Sequence, residues 1–280
     1  MTSAQLQRIR HVVMDMDGTI YRGATLFEWT LPWLDFLRAR DIGFTFLTNN
    51  SSKSRQVYLD KLAGMGIAVA PEQMYTSTWN TIDVLRRDYP GCQRLYLLGT
   101  PSLQAEMAAA GFVHDDVAPE VVVVGFDTDL TYARLCRTAY WIARGLPYIA
   151  THPDVICPTD EATVLVDCGA VCACLAAATL RSPDRVLGKP NPEMLWPIAE
   201  RHGLQSDEVL MIGDRLQTDI LLAVRAGALS CKVANPQEDG VYGTDLDVTP
   251  DLVVEHLGEL HARLAEALAA PTPATSGSAP

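Results

Sequence analysis

Two aspartates, Asp15 and Asp17, stand two residues apart in Asp15-Met16-Asp17-Gly18-Thr19, directly after the strand-like run His11-Val12-Val13-Met14. Paired negative charge at the end of a buried strand is costly, because like charges so close resist joint ionisation unless a cation or a shared proton relieves them. The pair therefore points to a metal ion or to a division of labour between acid and base. Asp15 is the candidate nucleophile, since a carboxylate can attack phosphorus and split one hard displacement into two easier ones through an acyl phosphate. Asp17 is then the acid that protonates a leaving alkoxide and the base that later takes a proton from water. A helix cap or a calcium loop uses the same residue types, and these five residues alone do not separate the readings.

Three more segments carry compatible chemistry. Thr48-Asn49-Asn50 ends a second apolar run and leads through Ser51-Ser52 towards a helix, so hydroxyl, amide and backbone N–H donors could face one phosphoryl group. Turn and helix-cap chemistry accounts for this composition equally well. Lys189 sits in Gly188-Lys189-Pro190-Asn191-Pro192, where glycine and prolines hold one lysine in a stiff loop suited to neutralising phosphoryl charge. As a lone feature, a lysine is more often a solvated surface residue. Gly213-Asp214-Arg215-Leu216-Gln217-Thr218-Asp219 supplies two further carboxylates, although Asp219 could equally cap a helix. With the first pair they form a hard-oxygen set for Mg²⁺, which takes one or two carboxylates beside a substrate phosphate.

These tips need a scaffold, and the chain repeats a short apolar run, a polar or glycine turn and a helix-like stretch. The expected strands are 12–16, 43–47, 74–76, 94–98, 121–124, 148–150, 209–212 and 230–233, with helices over 31–40, 54–64, 78–88, 102–110, 131–144, 170–179, 191–201 and 218–226. Such alternation implies a parallel α/β fold, whose ligands lie outside the carboxyl ends of the strands. The segment between the second and third polar tips has its own α/β alternation. Residues 90–183 are therefore expected to form an inserted domain within a core made of residues 1–89 and 184–270, and residues 271–280 a disordered tail.

The 280 residues include 34 acidic and 22 basic side chains, for a net charge of −12, which argues against a nucleic-acid partner. No apolar run approaches the roughly 20 residues of a membrane span, and no leader precedes the first strand, so a cytoplasmic location is the default expectation. The seven cysteines read as reduced thiols.

Taken in order, the four elements resemble the haloacid dehalogenase superfamily of aspartyl-phosphate phosphotransferases. The first motif corresponds to Asp15–Thr19, the second to Thr48-Asn49-Asn50, the third to Lys189 and the fourth to Asp214 with Asp219. The long insert is similar to the α/β cap of the NagD-type branch, which contains phosphatases of p-nitrophenyl phosphate, nucleoside monophosphates, pyridoxal phosphate and glycerol phosphates. The resemblance implies a Rossmann-like parallel-sheet core and a Mg²⁺-dependent phosphatase acting on a small phosphorylated metabolite. In it, Asp15 is nucleophile and metal ligand, Asp17 is acid/base and gives a backbone carbonyl to the metal, and Asp214 completes the protein ligands. Thr48, Asn49, Asn50 and Lys189 would hold the phosphoryl group, with Asp219 orienting the site from behind. Two copies pairing through the inserted domain is an arrangement this reading leaves open.

The chain departs from the branch at Ala150-Thr151-His152-Pro153-Asp154, where Ala-Thr-Asn before an acidic residue is usual, so the resemblance does not assign the substrate. The loop from His152 to Asp167 is the expected place of substrate choice, with His152, Asp154, Cys157 and Asp167 as candidates. His152 reads as a loop or rim residue. Cys168, Cys172 and Cys174 fit no zinc spacing and read as buried thiols, Trp29 and Trp33 as a packing pair on one helix face, and Arg86-Arg87 as a solvated face. The competing functions are transfer of the phosphoryl group to an acceptor other than water, a phospho-switch module without turnover, and a bare binding protein.

Overall fold

Val12, Val13 and Met14 are fully buried, as are Leu210, Met211 and Ile212, because parallel strands covered on both faces bury consecutive side chains rather than alternate ones. In this computed structural model, which describes residues 1–157, 159, 161–235 and 247–270, these strands lie at the centre of an α/β fold. The expected tail, 271–280, lies outside the described residues.

The chain divides into two units, Met1–Phe46 with the chain from Leu195 onward, and Leu47–Met194. In the first, neighbouring strands run in the order Leu252–Val254, Leu229–Val233, Val209–Gly213, His11–Asp15 and Gly43–Thr48, the last of which carries the chain into the second unit. Met14 pairs with Ile212 and Ile212 with Cys231 in parallel register, so three strands finish at nearly the same level. Helix Thr30–Ala39 buries Trp33, Leu34 and Leu37, and the Trp33 indole N–H points at the Met14 sulfur, 3.3 Å away. It packs against Leu257–Ala269, which presents Leu257, Leu260, Leu264 and Ala267 on one face. Trp29 does not join Trp33 on the helix face; it precedes the helix and stacks on His256 with ring centres 4.5 Å apart.

The second unit holds a parallel sheet in the order Arg185–Val186, Tyr148–Ala150, Val121–Val124, Arg94–Leu98 and Val113–His114. Its strands alternate between two cores. Leu95, Leu97, Val121, Val123 and Ile149 face Leu103 and Met107, whereas Tyr96, Leu98, Val122, Val124 and Tyr148 face Trp141, Val171 and Leu175. Cys168 and Cys172 belong to the second core, but Cys174 is exposed on the same helix, Cys168–Thr179. Arg87 is not merely solvated: it joins Asp88, Glu193 and Arg185 in an ion-pair cluster. Residues 90–183, expected as the insert, fall wholly within this unit, which also takes in 47–89 and 184–194.

The longer expected elements are present within one or two residues. The helix expected over 191–201 is instead a single 3₁₀ turn, Pro192–Met194, followed by Trp196–Arg201, because Pro192 and Pro197 cannot donate to a continuous helix. The helix expected from Thr218 opens with a π turn, Leu216–Ile220, before Leu221–Ala226. Among the described residues no helix is long and apolar enough to cross a membrane.

Candidate active site

Asp15 ends its strand half-buried, and the register carries Asp214 to the equivalent end of the neighbouring strand. Oxygens of Asp15, Asp214 and Asp219 lie within 4.8 Å of one another, with Asp214 and Asp219 buried. The wide π turn makes this possible. The Ile220 N–H reaches back five residues to the Arg215 carbonyl at 3.2 Å, and the Asp219 carboxylate accepts from the Arg215 N–H at 3.1 Å, which turns Asp219 towards the strand end. Gly213 leaves room for it, since a Cβ there would sit 2.3 Å from the Asp219 carboxylate.

Opposite this trio the chain turns sharply. Gly18 has φ of +83°, donates to the Tyr21 carbonyl at 2.8 Å, and lies so near Asp214 that a Cβ would stand 2.3 Å from its Oδ2. Asp17 is exposed just before this turn and is not one of the three clustered carboxylates. The Asp214 carboxylate accepts a hydrogen bond of 2.7 Å from the Asn235 amide, whose oxygen accepts from Arg22 at 3.1 Å. Neither Asn235 nor Arg22 is singled out by the sequence reading. The signal for Asn235 is its position two residues past strand Leu229–Val233, one more polar tip at the same sheet edge.

Three carboxylates so close, supplying only oxygen donors, fit a hard divalent cation, which relieves their mutual repulsion. The buried hydroxyls of Thr19 and Thr218, flanking the turn and the π helix, have no hydrogen-bond partner among the described residues, consistent with a polar group being held nearby.

The other predicted residues belong to the second unit. Lys189 is buried rather than solvated, as is Asn49. The Asn49 side chain grips the Lys189 backbone: its oxygen accepts from the Lys189 N–H at 2.6 Å, and its NH₂ donates to the Lys189 carbonyl at 3.0 Å. The same NH₂ donates to the Asp154 carboxylate at 3.1 Å. Thr48 and Asn50 act locally, the Thr48 hydroxyl accepting from the Asn50 N–H and the Asn50 oxygen from Ser52. Gly188, with φ of +70°, lets this loop lie against His152, since a Cβ there would be 2.6 Å from the His152 Cβ.

His152 is fully buried and not at a rim. Its Nε2 lies 2.8 Å from Asp167, whose carboxylate also caps helix Cys168–Thr179. Burial disfavours the imidazolium, but the Cys168 sulfur, the Asp167 hydrogen bond and the charges of Asp167 and Asp154 favour it, and its pKa is pushed up to about 9. The Cys168 thiol is itself pushed well up by burial, so the carboxylates are the anions that matter at neutral pH. Cys157 lies half-buried in a two-stranded hairpin, Ile156–Cys157 with Leu165–Val166; Pro158 lies outside the described residues.

A family model described as haloacid dehalogenase-like hydrolase matches residues 12–113, and a second, described as HAD-hydrolase-like, matches residues 186–260. An acid sugar phosphatase of Staphylococcus aureus is 31% identical over 223 residues, 79% of this chain and 85% of that protein. Among solved structures, a 4-nitrophenylphosphatase of Thermotoga maritima superposes with a TM-score of 0.86 at 37% identity, covering 92% of this chain and 98% of its own. NagD of Escherichia coli K-12 gives 0.79 at 28% identity, covering 90% and 98%. The chain belongs to the haloacid dehalogenase-like hydrolases. Within them it falls among the phosphatases.

Two outcomes follow from this geometry. Gly18→Ala forces a Cβ into the Asp214 carboxylate at a positive φ, which should cost about 1–3 kcal/mol and lower the thermal unfolding midpoint by several degrees; an unchanged midpoint would contradict the close approach. His152 has a folded pKa above its unfolded value near 6.5, so its contribution to stability is complete below pH 6.5 and is lost as pH rises through about 9. The unfolding midpoint should therefore fall across that window more steeply in the native chain than in His152→Gln. Parallel curves would contradict a buried imidazolium.

Proposed function

We propose that the chain is a Mg²⁺-dependent phosphatase that hydrolyses the monoesters of small soluble metabolites, such as sugar, glycerol or nucleoside phosphates, through a phosphoaspartate on Asp15. The observation that carries this reading is the carboxylate trio at the strand ends, with Asp15 as its half-buried member. The likeness to an acid sugar phosphatase and a 4-nitrophenylphosphatase supports the class of substrate.

In the first half-reaction an Asp15 oxygen attacks phosphorus, the bond from phosphorus to the ester oxygen breaks, and Asp17 gives its proton to the departing alkoxide. In the second, Asp17 takes a proton from water, the water oxygen attacks phosphorus, and the bond to Asp15 breaks to release inorganic phosphate. Asp17 is exposed beside the turn, whereas Asp214 and Asp219 are buried, which suits a group that must exchange protons with solvent and leaving group. Asp15, Asp214 and the backbone carbonyl of Asp17 would hold Mg²⁺, with Asp219 orienting them. Bound there, the ion supplies the positive charge that lets a carboxylate approach a phosphate dianion.

Thr48, Asn49 and Asn50 with the Lys189 ammonium are the proposed holders of the transferring phosphoryl group, because charge of that sign, fixed in advance, stabilises the spreading negative charge of phosphoryl transfer. Substrate choice is assigned to the inserted segment, 90–183, through the hairpin that carries Cys157, whereas buried His152 and Asp167 support that loop from within. Water is the acceptor, and the reaction takes place in the cytoplasm.

Asp15→Asn should lose turnover of p-nitrophenyl phosphate by several orders of magnitude while unfolding at nearly the native temperature. Asp17→Asn should be impaired most on esters with poor leaving groups, such as a hexose phosphate, because protonation matters least for an activated aryl oxide. Native-like turnover in Asp15→Asn would sink the covalent route. Separately, exhaustive chelation should abolish hydrolysis and added Mg²⁺ restore it, whereas full activity after chelation would remove the metal from the account.

A further inference from the structure

Asp154 stands in the loop expected to select substrate, yet its carboxylate is already engaged. The Asn49 NH₂ donates to both of its oxygens, at 3.1 and 3.3 Å. Its backbone is equally fixed: the Gly169 N–H donates to the Asp154 carbonyl at 2.7 Å and the Asp167 N–H to the Val155 carbonyl at 3.0 Å, so Asp154 is pinned to the first turn of helix Cys168–Thr179. Within 4.8 Å of its half-buried carboxylate lie a ring nitrogen of buried His152 and the carboxylate of buried Asp167.

The bonding capacity of Asn49 shows what this contact does. A primary amide has one accepting oxygen and an NH₂ with two donor hydrogens. At Asn49 the oxygen takes the Lys189 N–H, and the NH₂ serves the Lys189 carbonyl and Asp154. A carboxylate only accepts, so Asp154 reinforces the orientation that the Lys189 N–H and carbonyl also require, NH₂ at one end of the amide and oxygen at the other. Turned the other way, the amide would oppose oxygen to the Asp154 carboxylate and to the Lys189 carbonyl and lose all three contacts. The Asn49 main chain is tied separately, its carbonyl accepting from the Ser77 hydroxyl at 2.5 Å. The side-chain amide is therefore the part that Asp154 governs.

We propose that Asp154 is a positioning residue for the phosphoryl-binding loops: by fixing the Asn49 amide it sets the backbone of Lys189, and it acts on every substrate alike rather than choosing among them. The proposal rests on the phosphatase reading above, in which Lys189 and the loop that carries Asn49 hold the phosphoryl group. It separates Asp154 from Cys157, whose hairpin remains the candidate for selection.

The test compares Asp154→Ala and Asp154→Asn with the native chain, using p-nitrophenyl phosphate and a hexose phosphate as substrates and inorganic phosphate as a competitive inhibitor, with thermal unfolding measured on each. Asp154→Ala should lose kcat/KM by the same factor, roughly 10-fold, on both esters, and should weaken inhibition by inorganic phosphate, which has nothing to present to a selecting loop. Asp154→Asn keeps an accepting oxygen for the Asn49 NH₂ and should recover most of both losses, an outcome that a general defect in folding would not give. Loss confined to the hexose phosphate, with phosphate inhibition unchanged, would overturn positioning in favour of selection while leaving the phosphatase reading intact. Equal loss in both variants would overturn the amide-orienting role. A native chain that hydrolyses neither ester with Mg²⁺ would overturn the phosphatase reading, and positioning with it.

Discussion

Everything in the first unit turns on one electrostatic constraint: three carboxylates must stand within 4.8 Å of one another at the edge of an apolar sheet. Water would keep such groups apart, and burial alone would drive protons onto them. The fold holds them by strand pairing and by hydrogen bonds, two of them made to the carboxylates themselves. Parallel pairing of Met14 with Ile212 sets the level at which two of the strands end. The π turn brings Asp219 back onto that level, Gly18 and Gly213 remove the side chains that would collide, and Asn235 donates to Asp214. A site so assembled favours any process that brings positive charge to it, and its all-oxygen donor set suits a hard divalent cation.

The second unit solves a different problem with the same economy of parts. A lysine near phosphate is useful only if its backbone is held, because a mobile ammonium would lose in ordering entropy what it gained in attraction. Here the Lys189 backbone is clasped by one amide, that amide donates to the Asp154 carboxylate, and the Asp154 backbone carbonyl accepts from a helix start. Buried His152 and Asp167 stiffen the base of the loop. His152, which stands where the branch usually has asparagine, is buried against Asp167 at the base of this loop.

Much of this was legible in the sequence, and the limits follow from range. Asp15, Asp214 and Lys189 stood out because each follows an apolar run or sits in a proline-stiffened loop, both local signals. The major strands were legible for the same reason, and Val121–Val124 could be nothing else. Strands Val113–His114 and Arg185–Val186 have two residues each, too few to show a period, and exist because a neighbouring strand was there to pair with. Helix Leu257–Ala269 carries a readable stripe in Leu257, Leu260 and Leu264, although it is not among the expected helices. The hydrogen bond from Asn49 to Asp154 joins residues 105 apart, and that from Asn235 to Asp214 depends on strand order; neither leaves a local trace. Lys189 also shows how an average misleads: most lysines are solvated, but this one is buried because its loop packs against Asn49 and His152.

A covalent bond from phosphorus to Asp15, the step proposed for this chain, can be read directly by trapping. Enzyme mixed with excess p-nitrophenyl phosphate and Mg²⁺, quenched in acid within one turnover and reduced with borohydride, should carry a homoserine in place of the aspartate at position 15 in its peptide map, since only an acyl phosphate is reduced at that step. Unmodified Asp15 in a quench that has already released p-nitrophenol, or reduction at another carboxylate, would contradict the account.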